Sequence, residues 1–185
     1  MTESNVAERV ARLEERLRVL EDQRDIERLV YRYGYTFDDG DLEGFIGCFT
    51  EDCVGEYRPF AQGFEGKDGI RQFASAVKGT FPRITETFHF TASPVIDIIG
   101  DDASSRWHWM NPSSVEDAPG THVSAWQFGV YEMWFRRESA GWKIRRNRVT
   151  YRQVFDVTKG YAGNPMLLLG SGQAAETARL GDHSD

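Results

Sequence analysis

The residues best suited to moving a proton are His89 and Asp38. His89 lies in Thr87-Phe88-His89-Phe90-Thr91, where strand alternation sends His89 and Thr91 to one face and the two phenylalanines to the other. Imidazole changes charge between about pH 5 and 8, and it serves best as a base when a carboxylate orients it. Asp38 ends the helical face that runs from Tyr33 to Phe37, so its carboxylate is expected at the mouth of the pocket which that face lines. Tyr33, and Tyr57 in Glu56-Tyr57-Arg58-Pro59-Phe60, carry phenols that can donate to an oxygen gaining charge. Each has a plainer reading: a strand histidine that only packs, an aspartate that ends a helix beside Asp39 and Asp41, tyrosines that fill a core.

Other chemistries lack their residues. No serine stands in GxSxG, and there is no HExxH, GxGxxG or P-loop. Cys48 and Cys53 have neither CxxC spacing nor a matching His pair, and read as two reduced, partly buried thiols. No metal and no cofactor is expected. With 22 Lys+Arg against 29 Asp+Glu the net charge is −7, which argues against nucleic acid, whose phosphates need clustered cations. No apolar run approaches the roughly 20 residues that cross a bilayer, and the first residues lack a basic stretch followed by an apolar one; a cytoplasmic protein without membrane contact is expected. Aromatic residues reach 13%, a composition that suits a pocket for a flat apolar ligand.

The elements that must position these residues can be read from periodicity. Val6, Val10, Leu13, Leu17 and Leu20 are spaced 4, 3, 4, 3, a heptad seam of about two repeats. After Glu21-Asp22-Gln23 the register slips to a new face of Ile26, Leu29, Val30, Tyr33 and Phe37, which predicts a kink or a fresh helix near Asp22 or Asp25. Asp38-Asp39-Gly40-Asp41 stops it. Short helices over 42–49 and 66–77 and a strand over 53–60 are expected. Residues 88–99, 103–110, 122–137 and 142–155 read as long strands joined at Gly100-Asp101-Asp102 and Ser139-Ala140-Gly141. Helices first and antiparallel strands after them mean α+β, here a curved antiparallel sheet wrapped by three helices around a cone-shaped pocket. The organisation is then an N-terminal helical extension over 1–21, a barrel domain over 22–156 and a C-terminal arm over 157–185, whose apolar patch is 166–169.

Several ordered pieces are familiar together. They are Tyr33-x4-Asp38-x2-Asp41-x7-Phe49-x2-Asp52, Gly66-Lys67-Asp68-Gly69-Ile70, Thr87-Phe88-His89-Phe90, and Tyr131 with Gly141-Trp142-Lys143-Ile144. Over about residues 22–156 the chain resembles the SnoaL-like branch of the nuclear transport factor 2-like superfamily. The resemblance implies the α+β barrel. It also implies kinship with that superfamily's lyases: scytalone dehydratase, bile-acid 7α-dehydratase and hexachlorocyclohexane dehydrochlorinase. In those an Asp orients a His that removes a proton, and Asp38 and His89 match that dyad. Tyr33 matches a catalytic tyrosine of the bile-acid enzyme, and the segment around Tyr57 is similar to one that holds a water-polarising tyrosine.

The departures are specific. Phe37 stands where scytalone dehydratase has Tyr, Gly129 and Tyr131 stand where it has Ser and Asn, and Met110-Asn111-Pro112 lacks the bile-acid enzyme's second Asp. His108, between Trp107 and Trp109, is a candidate second histidine. Arg148 is a candidate anion contact, although Arg146, Arg148 and Arg152 share a face that reads equally as solvated. With Phe37 and Tyr131, these two are the expected substrate contacts. The implied activity is a dehydratase-like lyase acting on a small hydrophobic, cyclic or aromatic molecule. An isomerase or cyclase with the same dyad, or a non-catalytic module of this fold, are the alternatives. A homodimer or higher homo-oligomer is expected, since the 6–20 stripe and the convex sheet face both need partners.

Overall fold

The computed structural model describes residues 3–58, 61–80 and 82–159. Its first element, α1 (Glu3–Asp38), is one unbroken helix, so the break expected near Asp22 or Asp25 is absent. The register slip marks a change of partner along a continuous helix. Val6 through Leu20 face solvent, whereas Ile26, Leu29, Val30, Tyr33 and Phe37 are buried against the sheet. Asp22 stands at the changeover and is itself buried. It accepts from the Arg137 guanidinium and from Trp142 Nε1 (3.1 Å), and so fastens the helix to the last hairpin.

Asp41 caps α2 (Leu42–Ile46), its carboxylate accepting from the Gly44 amide at 2.9 Å. This helix is shorter than expected because Phe49 already opens β1 (Phe49–Arg58). Then follow β2 (Ala61–Glu65), α3 (Gly66–Gly79) and β3 (Arg83–Thr87). The two five-residue strands were not anticipated. The chain ends in four strands, β4 (Phe90–Ile99), β5 (Asp102–Ala118), β6 (Thr121–Glu138) and β7 (Gly141–Asp156), and a 3₁₀ turn at Val157–Lys159. From residue 160 onward the expected C-terminal arm lies outside the described residues.

The strands form one sheet in the order β2-β1-β7-β6-β5-β3, with β4 also paired to β5. It is mixed rather than wholly antiparallel, because β1 runs parallel to β7. The sheet curls, helped by a bulge in β4 between Ala92 and Val95 where Ser93 takes φ 55. The fold is thus α+β, a half-barrel with three helices.

β5 runs eight residues beyond the expected end at Met110, through Pro112. The carbonyl of Pro112 accepts from the Phe88 amide at 3.2 Å, which turns its ring nitrogen toward the gap between β3 and β4. Proline has no N–H to return to the Phe88 carbonyl, so one bond of the pair is missing and the partner is split into β3 and β4 at an edge of the sheet. Strand alternation sends Trp107, Trp109, Asn111, Tyr131, Met133, Asn147 and Val149 into the concave face, where they meet α1. Burial of each large apolar side chain contributes about 1.5–3 kcal/mol. Among the described residues no helix is long and apolar enough to cross a membrane.

Candidate active site

Asp38 is the last residue of α1, and His89 lies in the two-residue link between β3 and β4. Phe88 and Phe90 turn outward to solvent, while His89 turns inward, as alternation predicts. The two residues meet through two bonds. The His89 backbone amide donates to Asp38 Oδ2 at 2.7 Å, and His89 Nδ1 lies 2.5 Å from Asp38 Oδ1. A carboxylate only accepts, so this contact keeps the hydrogen on Nδ1 and leaves the lone pair on Nε2. Phe37 and Tyr33 set ring edges against the imidazole, with centroids at 5.3 Å and 6.3 Å. Gly34 lets α1 pass this close: a Cβ there would stand 3.0 Å from the His89 Cβ.

Asn111 covers the ring. Its Nδ2 is 3.2 Å from both imidazole nitrogens, and no in-plane position satisfies both distances without overlapping the ring. The amide therefore lies over the face and leaves the in-plane direction of Nε2 open. Thr87 Oγ1 donates to Asn111 Oδ1 at 2.9 Å, which turns the NH₂ toward the histidine.

His89 lines a cavity of about 200 Å³. Tyr33, Tyr57, Tyr131 and Tyr151 line its inner part, and burial raises each phenol well above its ordinary value, so all four stay protonated as donors. Asn147 Nδ2 donates to Tyr33 Oη at 3.0 Å, which frees the Tyr33 hydrogen to point elsewhere. Tyr57 Oη faces Tyr33 and Asn147 but completes no hydrogen bond, and Trp109 Nε1 is likewise buried without one. Trp109 stacks on Tyr131 at 5.3 Å, and Gly129 makes room for it, since a Cβ there would come within 2.6 Å of the indole nitrogen.

Six of the eight expected site residues gather here: Asp38, His89, Tyr33, Tyr57, Phe37 and Tyr131. Two do not. His108 is exposed on the outer face, because its neighbours Trp107 and Trp109 take the inward positions of β5. Arg148 is also on the outer face. Its Nε donates to Glu56 Oε2 at 2.8 Å, Glu132 lies 3.7 Å away, and its guanidinium is 5.3 Å from the Trp134 ring. Burial pushes the Glu56 carboxyl up, but the hydrogen bonds from Arg148 and Arg146 outweigh it and bring it down to about 2.

Asn111, Thr87, Asn147 and Trp109 were not singled out from sequence. Parity was the available signal. Trp107, Trp109 and Asn111 share one phase of β5, and Asn147 and Tyr151 take the phase opposite Arg146 and Arg148. Lys78 is a further neighbour, 4.9 Å over the Phe37 ring; burial lowers its pKa, and the charge of Asp38 works against that. Cys48 and Cys53 are free and buried, and burial pushes the Cys53 thiol up to about 11, so neither is poised as a nucleophile. Among the described residues no group of three or more His, Cys, Asp or Glu could hold a metal ion.

The SnoaL-like domain pattern matches residues 18–148. No curated protein matches the chain. Among solved structures, a Novosphingobium aromaticivorans protein provisionally described as a scytalone dehydratase is 24% identical, with a TM-score of 0.65 over 84% of this chain and 96% of its own. A hexachlorocyclohexane dehydrochlorinase is 15% identical, with a TM-score of 0.67 over 80% of this chain and 94% of its own. A protein of Novosphingobium aromaticivorans described as nuclear transport factor 2-like with a cystatin-like fold is 28% identical, with a TM-score of 0.56 over 81% and 90%. These likenesses carry the fold.

Proposed function

The chain belongs to the SnoaL-like family, and on that premise we propose that it is a cofactor-independent lyase of the dehydratase type. The observation that carries the reading is the Asp38–His89 pair at a cavity lined by Tyr33, Tyr57, Tyr131 and Tyr151. His89 Nε2 takes a proton next to a carbonyl or ring, and Asp38 holds the tautomer and balances the imidazolium that forms. Tyr57 and Tyr33 donate to the oxygen that gains charge or departs as hydroxide. General acid–base chemistry of this kind contributes about 10²–10⁴-fold, and positioning and electrostatics supply the remainder.

The substrate class follows from the walls. Phe37, Phe73, Trp109 and Tyr131 give the cavity flat apolar surfaces, and its volume of about 200 Å³ exceeds the roughly 150 Å³ that admits benzene. A small molecule built on one substituted ring, with one or two polar oxygens, fits both the space and the donors. Two observations weigh against a purely structural module of this fold: the cavity is open, and the dyad is within hydrogen-bond reach.

The test is incubation with a panel of small cyclic and aromatic hydroxy-ketones, read by product mass. Loss of one water is the expected result, and its abolition in His89→Ala and Asp38→Asn assigns it to the dyad. An unchanged mass with a changed structure makes the enzyme an isomerase or cyclase. Wild-type turnover in either variant refutes the role of the dyad.

A further inference from the structure

The N-terminal half of α1 is an apolar stripe that its own chain does not cover. Val6, Val10, Leu13, Leu17 and Leu20 are 48%, 46%, 52%, 55% and 60% exposed, although the helix continues unbroken into a buried half. In heptad terms Val10 and Leu17 occupy a, and Val6, Leu13 and Leu20 occupy d. The next a and d positions are Arg24 and Glu27, so the seam ends where α1 reaches its own sheet. We infer that residues 6–20 pair with the same residues of a second copy as a parallel two-stranded coiled coil.

The flanking charges select the partner and its direction. Arg9 and Arg16 occupy g, and Glu14 and Glu21 occupy e. Two parallel copies in register set Arg9 against Glu14 of the second copy and Arg16 against Glu21, twice over by symmetry. An antiparallel arrangement sets g against g and e against e, which places Arg beside Arg and Glu beside Glu. None of these four side chains makes an ion pair among the described residues. The segment's own pair, Arg18 with Glu15 at 2.8 Å, lies at the outer b and f positions and leaves the flanks available. Of the two a positions Val10 is β-branched, and with Leu13 and Leu20 at d it supplies the combination that favours two strands.

The seam spans roughly 21 Å at 1.5 Å per residue. Two heptads alone would be marginal, because a helix must first nucleate. Here the buried half of α1 and the Asp22 clamp already hold the helix, so pairing bears no nucleation cost. Residues 6–17 lie outside the family match, which begins at 18.

Sedimentation equilibrium on the full chain at micromolar concentration tests the pairing. The expected wild-type mass is twice 21.1 kDa. Leu13→Glu/Leu17→Glu should weaken association at least about tenfold, with the circular dichroism spectrum unchanged because both side chains are already exposed. A wild-type monomer, or a double variant of unchanged mass, overturns the inference. Direction is read with Val6→Cys under mild oxidation, where a covalent dimer is expected; association without cross-linking overturns the parallel arrangement. Cys48 and Cys53 are buried and do not interfere. Arg9→Glu/Arg16→Glu and Glu14→Arg/Glu21→Arg should each associate poorly alone and pair with one another when mixed. A mixture that associates no better than its components refutes the charge pairing.

Discussion

Asp38→Asn separates the two tasks of one carboxylate. Asp38 spends Oδ2 on the His89 backbone amide at 2.7 Å and Oδ1 on His89 Nδ1 at 2.5 Å. Asparagine has one oxygen and one NH₂, so only one of these bonds can survive. If the oxygen stays with the backbone amide, the NH₂ meets Nδ1, and the imidazole must accept there and carry its hydrogen on Nε2. If the oxygen stays with Nδ1–H, two donors face each other across the other contact. Either outcome removes a charge-assisted bond worth about 1.5–3 kcal/mol. For a domain of this size that lowers Tm by roughly 2–4 °C per kcal/mol, or about 3–12 °C in all.

The first outcome is favoured, because the ring can change tautomer and the backbone amide cannot. It leaves a histidine with no lone pair on Nε2, so turnover should fall about 10²–10⁴-fold, equivalent to roughly 3–5.5 kcal/mol in the barrier. Two-bond ¹H–¹⁵N spectra of ¹⁵N-histidine protein read the tautomer without any substrate. His89 is assigned by its loss in His89→Gln. The hydrogen should be on Nδ1 in the wild type and on Nε2 in Asp38→Asn. The same tautomer in both proteins, or turnover within about twofold of the wild type, refutes this account of the dyad.

Gly34→Ala adds a Cβ 3.0 Å from the His89 Cβ, which the tethered backbone absorbs only by moving a few tenths of an ångström. Helix propensity returns about 0.5–1 kcal/mol, so thermal stability should change little while turnover falls several-fold; unaltered turnover counts against the close fit. Glu56 has its carboxyl held at about 2 against an ordinary 4.5, so its stabilisation is complete above pH 4.5 and is lost as pH falls toward 2. Glu56→Gln should cost about 1–3 kcal/mol at neutral pH and flatten the fall of Tm in acid, and parallel Tm–pH curves for the two proteins would exclude it. Tyr33→Phe leaves the buried Asn147 NH₂ without its acceptor and should cost about 1–2 kcal/mol by chemical denaturation, with reduced turnover; a stability change below about 0.3 kcal/mol rules out that bond as a support of the site.

Where a side chain faces was readable wherever a strand had two unequal faces. Alternation placed His89 inward and the flanking phenylalanines outward, and helical periodicity placed Tyr33 and Phe37 on the face that becomes buried. The same rule, applied further, separates His108 from Trp107 and Trp109 and sets Asn147 opposite Arg148. Those two assignments failed because resemblance, and not strand phase, chose the residues. Helix continuity was harder to read. The slip after residue 23 looks like a break in any scheme that assumes one partner per helix, and only the long-range clamp of Asp22 by Arg137 and Trp142 distinguishes the two cases. β2, β3 and the parallel pairing of β1 with β7 rest on contacts between distant segments, and five-residue strands carry too little periodicity to announce themselves.

The site itself depends on an edge of the sheet. β5 pairs with β4 up to Met110 and with β3 from Ser113, and one register carries through the link, setting Phe88 opposite Pro112 and His89 opposite Asn111. Pro112 has no N–H to offer, and its carbonyl is met by the Phe88 amide. The His89 amide is left outside the ladder at the one place where α1 ends in a carboxylate. It must find an acceptor, and Asp38 supplies it, so the backbone bond that satisfies a buried donor also sets the imidazole against the second oxygen. Asn111 lies beside Pro112 and reaches over the same ring from the other side of the gap. β3 and β4 pair with β5 alone, so with the Phe88 amide bonded to Pro112 the next amide, that of His89, points away from the sheet. The edge position of this link is what lets one aspartate orient both the backbone and the ring of His89, since a central strand would have a neighbour on that side to take the amide.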